Sequence, residues 1–166
     1  VLLALAPGHT LEHVLDGRCT LVEAVVPPPA GFSVIPAASG VARLAGLSTA
    51  EHLGLVQAFS HLTAGIDVLI VDTAAGIAAN SLQFCEASQE VIVVVCNDPA
   101  SITDAYATIK VLNQRSRRSR FRVLVNMAQS QAEARDLYLR LSKATDRFLD
   151  VTLDFVGVIP YDRSIA

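Results

Sequence analysis

The chain holds 166 residues, 52% of them hydrophobic and 17% charged, with a mean hydropathy of +0.45. Such a composition buries a substantial core, which excludes a disordered chain, and the length predicts one domain, residues 1–166. Thirteen basic against sixteen acidic side chains give a net charge of −3 and a pI near 5.7, which argues against a sequence-specific nucleic-acid binder held by phosphate neutralisation.

No apolar run is longer than the six residues of Val91–Cys96, far below the ~20 that cross a bilayer. The apolar opening, Val1–Ala6, lacks a basic leader and is short for a secretory core, and the missing initiator Met predicts a fragment. Cys19, Cys85 and Cys96 are odd in number and widely spaced, a pattern that fits reduced thiols in the cytoplasm better than disulfides or a metal site.

In chain order, an early helical region over about 10–25 precedes the stiff Pro27–Gly31 connection and a strand, Phe32–Ile35. Ser48 and Glu51 have capping-box spacing, and His52, Leu55, Val56, Phe59 and Leu62 continue a helix over 48–63. Strands follow at Val68–Val71 and Val91–Cys96, both almost wholly apolar and expected at the sheet centre. Ser101 and Asp104 signal a helix carrying Ile102, Ala105, Tyr106, Ile109 and Leu112. A strand at Phe121–Val125, a stripe of Ala134, Leu137, Tyr138, Leu141 and Phe148, and a strand at Phe155–Ile159 complete the pattern. The class is α/β, a mostly parallel sheet flanked by helices.

Ligands of open parallel sheets bind beyond the carboxyl ends of strands, so the residues there are the candidates. Asp72 ends an apolar run and precedes a small-residue turn at Gly76, an arrangement suited to a magnesium nucleotide or to a carboxylate that simply caps a helix. Asn126 is placed to read a purine edge or to form a turn, and Pro160 and Asp162 leave the last strand in a turn that could lie against a base. Asp104, beside the same edge, is a candidate partner contact. Arg115, Arg117, Arg118, Arg120 and Arg122 complement a helix dipole, or dock an acidic partner or nucleic acid. Lys110 and Lys143 are the only lysines and neither follows a glycine, so a phosphate loop would have to precede Val1 or come from another chain.

Thr10–Gly17, Ile35–Gly40, Asp67–Gly76, Ser101–Tyr106, Phe121–Ala128, Thr145–Val151 and Val156–Asp162 together resemble the MinD/ParA group of P-loop ATPases, in particular its flagellar-number branch, FleN/FlhG. The resemblance implies a truncated P-loop NTPase fold and an ATP-dependent homodimerisation switch using ATP or ADP and Mg2+. It makes Asp72 the catalytic Walker-B-type acid, holding Mg2+ through water. Gly76 then lies in the phosphate-sensing turn, Asn126 contacts adenine, and Pro160 and Asp162 form the other base-side loop. It also implies partners, a flagellar transcription activator and a flagellar-placement GTPase. The location implied is the cytoplasm, peripheral to the inner membrane or pole through a carboxyl-terminal helix expected beyond Ala166. Without its first two strands the sheet is expected to expose apolar edges and self-associate, and the chain alone is expected to be inactive. The alternatives are a non-enzymatic partner-binding module that has lost ATP control, and an unrelated flavodoxin-like module in which Asp72 only caps a helix.

Overall fold

β-branched and aromatic residues concentrate in three runs of the second half of the chain, and each becomes a strand. The computed structural model describes residues 7–27, 31–37, 46–62 and 66–164, which fall into two units, 1–71 and 72–166. Val1–Ala6, Pro28–Ala30 of the proline-rich connection, Ala38–Gly40, the expected helix end at Thr63 and Ala166 lie outside the described residues.

In the first unit, α1 spans Leu11–Leu15 and α2 Thr49–His61. The early helix is shorter than predicted, because Gly17 turns the chain with a φ of +70° after one turn. Phe32–Ile35 is no strand: Val26 and Val34 only exchange backbone hydrogen bonds, of 2.8 and 2.9 Å, in an isolated antiparallel bridge. The start of α2 is as predicted. The Ser48 hydroxyl accepts from Glu51 N at 3.3 Å, and the Glu51 carboxylate accepts from Ser48 N at 2.8 Å. Val68–Val71 forms no strand either, with Val68 74% and Ile70 85% exposed. Its residues have the right propensity, but a strand exists only through a neighbouring ladder, and none reaches it among the described residues.

The second unit runs α3 (Ala79–Ala87), β1 (Ile92–Val95), α4 (Pro99–Ser116), β2 (Arg120–Ala128), α5 (Gln131–Phe148) and β3 (Thr152–Pro160). All three strands are parallel in the order β1-β2-β3. Among the described residues β2 is therefore the centre, and β1, expected there, is an edge. Alternation decides the packing. Val91, Val93 and Val95, Phe121, Val123 and Val125, and Leu153 turn to one face and meet Leu82 of α3, Ala105, Ile109 and Leu112 of α4, and Ala134, Leu137 and Leu141 of α5. Ile92 and Val94, on the other face, are about half exposed (53% and 51%). Sequence reasoning missed α3, whose amino end carries no side-chain cap. It also placed the start of α4 late, since Asp98 is the cap and accepts from Ser101 N at 3.1 Å.

Several of the arginines serve this frame. Arg118 donates to the carbonyls of Cys85 (3.2 Å) and Gln89 (3.1 Å) and to that of Ser88, closing the carboxyl end of α3, where a cation complements the dipole. Arg120 pairs with Asp154 and Arg122 with Glu90 across the strands, and Arg115 pairs with Glu86.

Leu137 is fully buried and Leu139, on the same helix, is 51% exposed. Leu137→Ala is expected to lower unfolding stability by about 2–5 kcal/mol and Leu139→Ala by less than about 0.5 kcal/mol in urea titrations. The hydrogen bonds from Arg122 to Glu90 and from Arg120 to Asp154 hold both carboxyls below their ordinary values of 4.5 and 3.8. Their contribution is therefore complete above those ordinary values and lost as pH falls through the lower, folded ones. The double variant Glu90→Gln, Asp154→Asn should lose less stability than the wild type between about pH 5 and about pH 3.

Candidate functional site

Parallel strands all exit at the same end, so the loops after β1, β2 and β3 gather along one edge. After β1 the chain turns through Cys96, Asn97 and Asp98 into α4. The turn is closed from two sides, by the Asp98 cap and by the Ser101 hydroxyl accepting from Cys96 N at 3.0 Å.

The end of β2 is irregular. Val125 stands opposite Val158 and Ala128 opposite Pro160, so β2 advances one residue more than β3 between these pairs, and a bulge forms at Asn126 and Met127. Met127 has a φ of 58°, a left-handed conformation that costs a residue other than glycine about 1–2 kcal/mol. The Asn126 side-chain oxygen accepts from Met127 N at 3.0 Å. Pro160, having no N–H, passes the ladder on to Tyr161 N, which donates to Ala128 O at 2.9 Å. Asp162 then accepts from Ser164 N at 2.8 Å and from the Ser164 hydroxyl at 2.7 Å, and these bonds, the backbone one first, hold its carboxyl below the usual range. Asn126, Pro160 and Asp162 thus gather at the exits of two adjacent strands.

Asp72 and Gly76 lie in the irregular segment 72–78 that leads into α3. Asp72 is exposed, and the cap position of α3 belongs to Ala78, so the helix-cap reading of Asp72 is not what the structure contains. Gly76 has a φ of +89° with open space where a Cβ would sit, so its backbone is accessible to a close neighbour. The Ser81 hydroxyl donates to Ala74 O at 3.1 Å and ties this segment to α3. No strand ladder joins Asp72 or Gly76 to the β2–β3 edge among the described residues. Asp104 is exposed on α4. Burial pushes the Cys85 thiol above its ordinary range, as befits a packed thiol.

Sequence reasoning overlooked Glu133, on the first turn of α5. Its carboxylate accepts from Gln129 N at 2.5 Å, just after β2, and from the Asn97 side-chain amide, just after β1. Arg140 donates to the Asn97 side-chain oxygen at 3.2 Å and pairs with Asp136 at 3.0 Å. The spacing of Ser130 and Glu133 is a capping-box signal, and it could have drawn attention to the residue.

No protein-family model matches the chain. Over 165 residues, 99% of the chain, it is 53% identical to the antiactivator FleN of Pseudomonas aeruginosa. Over nearly its whole length the chain is homologous to part of FleN. It is also 33% identical over 160 residues to the flagellum site-determining protein YlxH of Helicobacter pylori, and 27% identical over 156 residues to an uncharacterized ATP-binding protein of Methanocaldococcus jannaschii. The chain spans 59% of FleN, 54% of YlxH and 55% of the archaeal protein. No helix among the described residues is long and apolar enough to cross a membrane.

The bulge yields a prediction. Met127→Val places a β-branched side chain in the left-handed region and should lower stability by about 1 kcal/mol or more, whereas Met127→Gly should stay within about 0.5 kcal/mol of the wild type in thermal unfolding.

Proposed function

We propose that this chain is the core of a MinD-like ATPase switch that regulates flagellar number and placement through ATP-dependent dimerisation and control of a flagellar transcription activator. The observation that carries the proposal is the 53% identity to a protein named an antiactivator, extending over 99% of the chain. The archaeal relative, named an ATP-binding protein, supports ATP as the ligand. The relative named a flagellum site-determining protein supports a role in flagellar placement, and the proposal adds a cytoplasmic location, peripheral at the pole or inner membrane, with the flagellar-placement GTPase as partner.

The residues present suit part of a nucleotide site. Asn126 offers a side-chain amide at a strand exit, beside a bulge that re-aims the backbone, and Pro160 and Asp162 bound the same edge. This is chemistry for orienting a purine. Gly76 offers an N–H in an unobstructed turn for a terminal phosphate. Among the described residues no group of three or more His, Cys, Asp or Glu is placed to cage a metal. A lone Asp72 suits Mg2+, which keeps most of its waters and takes few protein ligands. When bound, Mg2+ with ATP supplies the phosphoanhydride whose cleavage resets the dimer. The lysine-bearing phosphate loop would come from a segment outside these 166 residues, since neither lysine of the chain follows a glycine. Asp104 faces solvent on α4, where a partner or second subunit can reach it.

A second reading is a partner-binding module without ATP control. Its support is that α4 and α5 are complete, capped helices that need no phosphate loop to form.

Asn126→Ala in the full-length protein carrying this chain should weaken ATP binding about tenfold in titration calorimetry while lowering unfolding stability by only about 1 kcal/mol, through loss of its bond to Met127 N. Unchanged ATP affinity would reject the purine role of Asn126. The 166-residue chain alone should show no ATP turnover, and ATP-insensitive capture of the purified flagellar activator by it would favour the second reading.

A further inference from the structure

We infer that Glu133 is a positioning residue that holds the Asn126–Met127 bulge in shape and couples it to the start of α4. The inference rests on the nucleotide reading above for its functional consequence, but not for its geometry. In an ordinary capping box the acidic side chain at the third helical position returns to the backbone N–H of the cap residue. Here Ser130 is the cap and its hydroxyl accepts from Glu133 N at 3.1 Å, yet the Glu133 carboxylate reaches one residue further back, to Gln129 N. Gln129 is two residues beyond Met127, so this bond pins the exit of the left-handed bulge. The bond from Tyr161 N to Ala128 O pins it from the β3 side. Left-handed backbone at a methionine persists only where its surroundings over-determine it, and these two bonds restrain it from α5 and β3 beside the local bond from Met127 N to the Asn126 side-chain oxygen.

The second carboxylate oxygen of Glu133 makes the coupling. It accepts from the Asn97 side-chain amide, and Asn97 directly precedes Asp98, the cap of α4. The Asn97 oxygen in turn accepts from Arg140, one helical face along α5 from Glu133, so the amide is held in one orientation by a donor on one side and an acceptor on the other. One carboxylate therefore joins the exit loops of β1 and β2. A ligand that seats against Asn126 shifts the bulge against Glu133, and the displacement passes through Asn97 to the amino end of α4, the helix that carries Asp104. This makes the base-side loop a regulator of the α4 surface.

The test uses the full-length protein, with Glu133→Ala, Glu133→Gln, and Glu133→Gln combined with Asn97→Asp. The combination reverses the polarity of the link, because the new side-chain amide at 133 donates to the new carboxylate at 97, which still accepts from Arg140. Amide hydrogen exchange without nucleotide should show Gln129 exchanging about tenfold faster in Glu133→Ala than in the wild type. In Glu133→Gln with Asn97→Asp, protection of Gln129 and of the first turn of α4 should recover relative to Glu133→Gln alone. ADP affinity should fall and recover in parallel. Unchanged Gln129 exchange in Glu133→Ala, or no recovery in the combined variant, would overturn the inference. If exchange follows these expectations while neither Glu133→Ala nor Asn126→Ala alters ADP affinity, the positioning role stands and the nucleotide reading fails. If Asn126→Ala weakens ADP and Glu133→Ala leaves both exchange and affinity unchanged, the reverse holds.

Discussion

The burial of one face of β2 is the constraint on which the second unit depends. Phe121, Val123 and Val125 are 0–1% exposed, and they meet the equally buried Ile109 and Leu112 of α4 and Leu137 and Leu141 of α5. Each such side chain contributes about 1.5–3 kcal/mol through removal from water, and because side chains alternate, a slip of one residue would turn all three outward together. Register is therefore strongly enforced along β2. That register, propagated to Val93 and Val95 on one side and to Leu153 on the other, sets where each strand ends.

The β2–β3 pairing shifts at two places. Between Val123 and Leu124 it is β3 that takes an extra residue, Val156, and past Val125 and Val158 it is β2 that does so, with a left-handed turn at Met127, where the candidate site lies. A buried core on one side and a short strained exit on the other is how a rigid sheet presents an amide such as Asn126 at a defined angle. The exit is restrained by polar groups from α5 and β3 and by the burial of Ala128 in the core.

The arginines show how charge is distributed around the frame. Arg118 saturates the end of α3 while Arg115, Arg120 and Arg122 each face a carboxylate, so most of the basic cluster is engaged within the second unit itself. Of the cluster expected to complement a helix end, Arg118 does so, at α3, while the other three serve as ion-pair partners. The exposed pairs individually contribute little, because water screens them.

By itself the sequence determined what short-range chemistry decides. The capping box at Ser48 and Glu51, the apolar stripes of α4 and α5, the three strands of the second unit and the α/β class were all legible, because cap spacing and the periods of helix and strand are local. The positions of Asn126, Pro160 and Asp162 near strand exits were legible for the same reason. Tertiary structure decided everything that required a neighbour. Among the described residues Val68–Val71 has the composition of a buried strand but no ladder, Val91–Cys96 has the composition of a central strand but lies at the edge, and α3 has no cap signal yet packs through Leu82. The bulge at Met127 and the reach of Glu133 to two separate loops were also invisible, since hydrogen bonds between residues 36 positions apart leave no periodic trace in the chain.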